Sequence, residues 1–194
     1  DLRMSRGLGD VYKRQDGHFV PNLGLGIGDV EAICRRSPAP CDVHLMATHE
    51  PTTIDLLVKA GVKIVYVHQE AEPTINSTLL QIERLGAHPG LVVDPGVNFE
   101  TVETSLPVVD YVLVMTVNPG FSGQKYLDYV DEKIERFVAA KDKYGYKVII
   151  DGACSPQVIA KADKMGVDGA VLGTSAVFGK GRPYAEIFKE LREL

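Results

Sequence analysis

Two histidines, an aspartate and two glycine-bearing loops are the parts of this chain whose residue types and places could do chemistry. Asp151 closes the apolar run KVIID and is followed at once by Gly152, which puts a carboxylate where a strand gives way to its loop. His44 stands inside CDVHLM, where two-residue alternation sends Asp42, His44 and Met46 to one face and Val43 and Leu45 to the other. An imidazole and a carboxylate on one rim can share a divalent cation or move a proton on a substrate. His68 ends KIVYVH just ahead of Glu70 and is a third candidate of the same kind. Taken singly, each has a plainer reading: a hydrogen-bonded core histidine, or an aspartate opening a turn before SPQV.

The loops carry the second signal. In VLVMTVNPGFSGQ, residues 112–124, a strand-like run passes directly into Gly120, Phe121, Ser122 and Gly123. Glycines placed there let the backbone approach a ligand and turn its N–H groups toward an anion. GTSA, residues 173–176, follows the last apolar run and repeats the pattern with Gly173 and Thr174. Either loop alone is equally a tight turn without a ligand. Together they point to a phosphorylated substrate in spite of the chain's negative charge. Met165 and Cys154 read as packing and loop residues, and Met46 and Met115 as core packing ahead of a pocket lining.

These residues need elements to position them. Short β-rich runs lie at residues 41–46, 63–68, 90–94, 111–117, 147–151 and 169–173. Between them, PTTIDLLVKAG, TINSTLLQIERLG, NFETVETSL, DYVDEKIERFVAAKDKYG and SPQVIAKADKMG have helical spacing, and several end in the glycine a helix C-terminus prefers. Strands alternating with helices make parallel βαβ units, either in a doubly wound sheet or in a closed (β/α) barrel. Both put functional groups at the C-terminal strand ends.

A length of 194 residues is most simply one domain, and 45% hydrophobic against 24% charged residues places it among globular chains. No apolar run is long enough to span a bilayer. A formal charge of -5 without a basic tract disfavours nucleic acid. The 3 cysteines, Cys34, Cys41 and Cys154, are scattered, which suits a reducing cytoplasm better than a disulfide framework or a zinc finger. Residues 1–15, DLRMSRGLGDVYKRQ, lack the apolar core of a secretory signal.

DGHFVPN (residues 16–22), DVHLM (42–46), VMTVNPGFSGQ (114–124), IDG (150–152) and GTSAVF (173–178) resemble, in order and spacing, the ribulose-phosphate 3-epimerase family. The resemblance covers residues 16–194 and implies a (β/α)8 TIM-type barrel. It implies a divalent metal (zinc, iron(II), manganese or cobalt) and epimerisation of a phosphorylated ketose at C3, most simply ribulose 5-phosphate to xylulose 5-phosphate in the pentose phosphate pathway. The proton α to the ketone would leave through an enediolate and return on the opposite face between two carboxylates. By motif, His44 and Asp151 correspond to metal ligands, and Asp151 also to one acid/base carboxylate. Gly120, Phe121, Ser122, Gly123, Gly173 and Thr174 correspond to phosphate contacts. His44, Asp151, Gly152 and Ala153 are expected beside the sugar. His68 matches a family histidine that is not a metal ligand. A cytoplasmic homo-oligomer is expected, with neither nucleic acid nor membrane as partner.

Three departures qualify the resemblance. DGACS stands where the family usually has DGG, which touches the sugar or phosphate contacts. Val11 and Lys13 stand where the family's H-x-D-V-M strand supplies a histidine ligand and the second catalytic aspartate. Strand one is missing, so residues 1–15 read as a segment foreign to the fold, perched on a barrel left incomplete at its N-terminus. The chain as written is therefore expected to be impaired, with Asp16 the nearest other carboxylate. An allulose 6-phosphate epimerase and a non-catalytic phosphosugar-binding barrel are the alternatives.

Overall fold

The alternation of apolar strands and amphipathic helices folds into one parallel sheet. The computed structural model describes residues 10–48 and 51–194, apart from the side chains of residues 10–12. Its elements run β1 (Asp10–Gln15), α1 (Ile27–Arg36), β2 (Cys41–Met46), α2 (Pro51–Lys59), β3 (Ile64–His68), α3 (Ile75–Arg84), β4 (His88–Val93), α4 (Phe99–Val102), β5 (Tyr111–Met115), α5 (Asp131–Tyr144), β6 (Lys147–Asp151), α6 (Pro156–Met165), β7 (Gly169–Val171) and α7 (Tyr184–Arg192). The 7 strands lie in sequence order, β1 to β7, and each neighbouring pair is parallel. Strands that add in order with helical returns wind in one sense, so the doubly wound alternative falls away. The architecture is an incomplete (β/α) barrel of the TIM type.

Strand alternation sorts the core into two layers. Val43, Leu45, Val65, Val67, Leu91, Val93, Val112, Val114, Val148 and Ile150 face the helices in one buried cluster. Met46, Ile64, Tyr66, Val92, Tyr111, Leu113, Met115 and Ile149 fill the inside of the curl. Met46 and Met115 are thus packing residues, each 1% exposed. Counting by twos along each strand, His44, His68 and Asp151 fall on the inner face at its C-terminal rim.

Of the segment 1–15 expected to lie outside the fold, residues 1–9 lie outside the described residues. Residues 10–15 form β1, in register with β2 so that Val11 stands beside Asp42 and Lys13 beside His44. Among the described residues, β1 and β7 each have one partner strand, which leaves the sheet unclosed. The outer edge of β1 is partly covered by the following loop. Gly24 N–H donates to Gln15 O at 3.1 Å and Leu25 N–H to Lys13 O at 3.4 Å. A Cβ at Gly24 would stand 2.5 Å from Lys13 O, so only glycine permits this approach.

Two helices were not assigned from the sequence, α1 and α7, although both are amphipathic: Val30 of α1 and Ile187 and Leu191 of α7 are buried. Gly26 N–H, just before α1, is capped by the Asp29 carboxylate at 3.0 Å. NFETVETSL is α-helical only over Phe99–Val102 and tightens to a 3-10 helix over Glu103–Val108, where Pro107 removes a donor. The glycines expected at helix ends are there: Gly145 and Gly166 adopt the left-handed conformation after α5 and α6. No helix among the described residues is long and apolar enough to cross a membrane.

Candidate active site

Asp151 is the last residue of β6, and its side chain is 3% exposed. Lys13 reaches it from β1: Nζ donates to Oδ1 at 2.9 Å and lies 2.9 Å from Oδ2. His44 reaches it from β2, with Nδ1 3.1 Å from Oδ2. Burial alone would push the Asp151 carboxyl up, but the Lys13 ammonium and the His44 hydrogen bond outweigh it and hold it at about 2. Burial pushes His44 down to about 4 against the pull of Asp151. At neutral pH the site therefore holds a carboxylate and a neutral imidazole.

That charge state fixes a tautomer. An ionised carboxylate only accepts, so the His44 proton is on Nδ1 and Nε2 carries a lone pair. His44 Nε2 is 2.7 Å from His68 Nε2, which must then donate. The two rings stack with centroids 4.9 Å apart, and Phe19 lies against His68 at 4.7 Å.

The pair His44 and Asp151, expected to hold a divalent metal, is a poor fit for one in this chain. It supplies two protein donors, where a stable divalent site usually has at least three. The Lys13 ammonium already stands 2.9 Å from both carboxylate oxygens, so a doubly charged ion would have to displace it. The side chain of Val11, the other departure, lies outside the described residues.

Asp16 is no ready substitute base. Its Oδ1 accepts from the backbone N–H groups of His18 and Phe19, each at 2.8 Å. Its Oδ2 accepts from the Thr48 N–H at 2.8 Å and the Thr48 hydroxyl at 3.0 Å. Burial opposes ionisation here too, yet these hydrogen bonds prevail and lower the carboxyl to about 2. Asp16 pins the loop after β1 to the loop after β2.

The loops flank Asp151 on the neighbouring strands. After β5, Gly120 and Gly123 have φ of 122° and 85°, and the Gln124 amide donates to the carbonyls of Asn118 at 2.6 Å and Phe121 at 3.0 Å. Phe121, Ser122 and Gly123 are exposed. Gly120 O accepts from the side chains of Gln15 at 2.9 Å and Asn22 at 3.2 Å. Thus DGHFVPN and NPGFSG, 98 residues apart at Asn22 and Gly120, meet across the barrel mouth. After β7, Gly173 O accepts from the N–H groups of Ala176, Val177 and Phe178, which makes a tight turn with Thr174 exposed. After β6, Gly152 has φ of 124°, and Ala153, where the family usually has glycine, is held at φ of 48°.

Sequence reading overlooked Gln15 and Asn22, which position Gly120, and Glu70 and Asp94, which lie beside His68. Asp94 closes GLVVD as Asp151 closes KVIID, so the same strand-end rule applied there would have found it.

Fold and site together define a (β/α)-barrel enzyme with a buried carboxylate and imidazole at its C-terminal rim. The profile of the Ribulose-phosphate 3 epimerase family matches residues 10–178. A ribulose-phosphate 3-epimerase of Aquifex aeolicus is 38% identical over 178 residues, covering 90% of this chain and 80% of the relative. Its Bacillus subtilis counterpart is 37% identical over 168 residues, covering 85% and 77%. The chain belongs to the ribulose-phosphate 3-epimerase family, a family of isomerases. In fold alone it is similar to a 3-hexulose-6-phosphate synthase, with TM-score 0.63 at 19% identity over 95% of this chain and 86% of the other. The tryptophan synthase α-subunit of Pyrococcus furiosus gives TM-score 0.63 at 15% identity, over 87% and 71%.

Proposed function

We propose that the reaction of this chain's family, epimerisation of ribulose 5-phosphate and xylulose 5-phosphate at C3, is the chain's own, and that the chain is impaired in it. The first half rests on the family and on the name its relatives carry. The second rests on one observation, the Lys13 ammonium 2.9 Å from both oxygens of Asp151.

In this reading, Asp151 takes the C3 proton from one face of the sugar. The loop at Gly120, Phe121, Ser122 and Gly123 and the turn at Gly173 and Thr174 hold the phosphate. Gly152 and Ala153 border the sugar beside His44. Inversion requires a second acid on the opposite face, and by motif Lys13, which pairs with His44, stands where the family has that aspartate. Lys13 also weakens the first base. A carboxyl held near 2 is far from the working pH at which a general base is most effective. His44 and Asp151 are the family's metal donors within this chain, and a divalent ion there would compete with Lys13 for one carboxylate.

The test restores the family pattern with Val11→His and Lys13→Asp together, then measures epimerisation of pentulose and hexulose phosphates by a coupled assay. Recovery of one acid/base group should raise turnover by about 100-fold or more, with the pentulose preferred. Family-like turnover from the unaltered chain, or a folded double variant no faster than it, would refute the impairment. Preference for the hexulose would overturn the substrate.

A further inference from the structure

The inner rim carries a second set of ligand atoms that the epimerase reading leaves unused. His68 ends β3, Glu70 sits in the 3-10 turn Gln69–Ala71, and Asp94 stands one residue past β4. One ligand atom from each lies within 4.8 Å of the other two. His68 Nδ1 and Asp94 Oδ1 are 3.1 Å apart. Two donors on a tetrahedral ion with bonds of about 2.1 Å stand about 3.4 Å apart, so this pair is already spaced to chelate.

A second observation points to a missing positive centre. His68 is fully buried, yet its Nδ1 has no hydrogen-bond partner, and neither has Asp94 Oδ1. The two atoms are close but not aligned for a hydrogen bond. The tautomer chain explains why. Asp151 takes the His44 Nδ1 proton, His44 Nε2 takes the His68 Nε2 proton, and His68 Nδ1 is left with a lone pair facing a carboxylate oxygen. Lone pair against lone pair, inside the protein, is repulsive unless a positive centre, a proton or a metal ion, stands between them. Burial, and then the Asp94 charge, raise the Glu70 carboxyl. Lys133 is the nearby ammonium, but its Nζ is held by the backbone carbonyls of Asp94 and Pro95, each at 2.7 Å.

We propose that His68 Nδ1, Glu70 and Asp94 bind a divalent first-row metal ion, and that this site and a metal at His44 Nδ1 exclude one another. The exclusion follows from counting protons. One hydrogen occupies the 2.7 Å contact between the two Nε2 atoms. If both Nδ1 atoms kept lone pairs for metals, both Nε2 atoms would carry hydrogens and collide in that contact. The His44–Asp151 hydrogen bond selects the tautomer that frees His68. A metal on His44 would reverse both rings and turn His68 Nδ1 into a donor toward Asp94. The site is independent of whether the chain epimerises a sugar.

Cobalt(II) titrated into the full chain, followed by its visible absorption and by calorimetry, tests this directly. One equivalent should bind, with Asp94→Asn and Glu70→Gln each weakening it about tenfold or more, while Asp151→Asn, whose amide oxygen can still accept from His44 Nδ1, weakens it less than either. Zinc should shift the His68 Nδ1 nitrogen resonance and leave Nδ1 of His44 protonated. Circular dichroism checks each variant's fold, and if Asp94→Asn fails to fold, the exposed Glu70→Gln decides. No binding by the folded chain would overturn the proposal. So would binding lost in Asp151→Asn but kept in Asp94→Asn or Glu70→Gln, because the metal would then sit at His44.

Discussion

Replacing Gly152 with alanine should unseat Asp151. Gly152 has φ of 124°, which L side chains rarely adopt, and its added Cβ would stand 2.5 Å from Val117 Cγ2 and 3.0 Å from both Val117 Cγ1 and the Val117 backbone nitrogen. The Val117 side chain could rotate, but its backbone is held: Thr116, next to it, donates to Asp151 O through its N–H at 2.9 Å and its hydroxyl at 3.1 Å. Relief therefore pulls apart the joint that presents Asp151 to Lys13 and His44. Backbone strain of this kind costs about 1–3 kcal/mol. Overpacking a buried contact adds about 1–3 kcal/mol. The sum, about 2–6 kcal/mol, is a large part of a domain's stability of about 5–15 kcal/mol. In urea, with a slope of about 2 kcal/mol per molar, the midpoint should fall by about 1–3 M. A fall equivalent to less than about 1 kcal/mol would refute the reasoning, since neither strain nor overlap could then be as read.

At the next residue the sign reverses: Ala153 sits at φ of 48°, so Ala153→Gly should relieve about 1–2 kcal/mol of left-handed strain and lose about 0.4–1 kcal/mol to unfolded-chain entropy. A net gain of between about zero and about 1.6 kcal/mol in the same urea titration is expected, and a loss would count against it. Acid should destabilise the fold in two stages. The His44 imidazole is held at about 4 against 6.5, so the unfolded chain binds its proton first, and stability present above pH 6.5 drains away down to pH 4. Asp151 and Asp16, held at about 2 against 3.8, add stability that is present above pH 3.8 and lost toward pH 2. The thermal midpoint should be flat above pH 7 and fall in both windows, with Asp16→Asn flattening the lower one; a midpoint that rises from pH 6.5 to 4 contradicts the burial of neutral His44.

Local periodicity carried much of this protein in its sequence. Alternation in CDVHLM separates His44 and Met46 from Val43 and Leu45, and the two core layers divide along that line. The glycines closing α5 and α6 and the aspartate closing β6 were legible because caps and strand ends are decided by a few adjacent residues. Helix α1 was overlooked although Ile27, Val30 and Cys34 stand at helical spacing on its buried side, because its glycine-rich lead reads as loop. Tertiary structure alone decided that Lys13 meets Asp151 across 138 residues and that His44 shares a proton with His68. It alone set Asn22 against Gly120, and brought Asp94 Oδ1 to 3.1 Å from His68 Nδ1. Each of these contacts joins side chains on different strands or loops. Their meeting depends on sheet register and on the curl of the barrel, which are fixed by the packing of all strands together and written in no single segment.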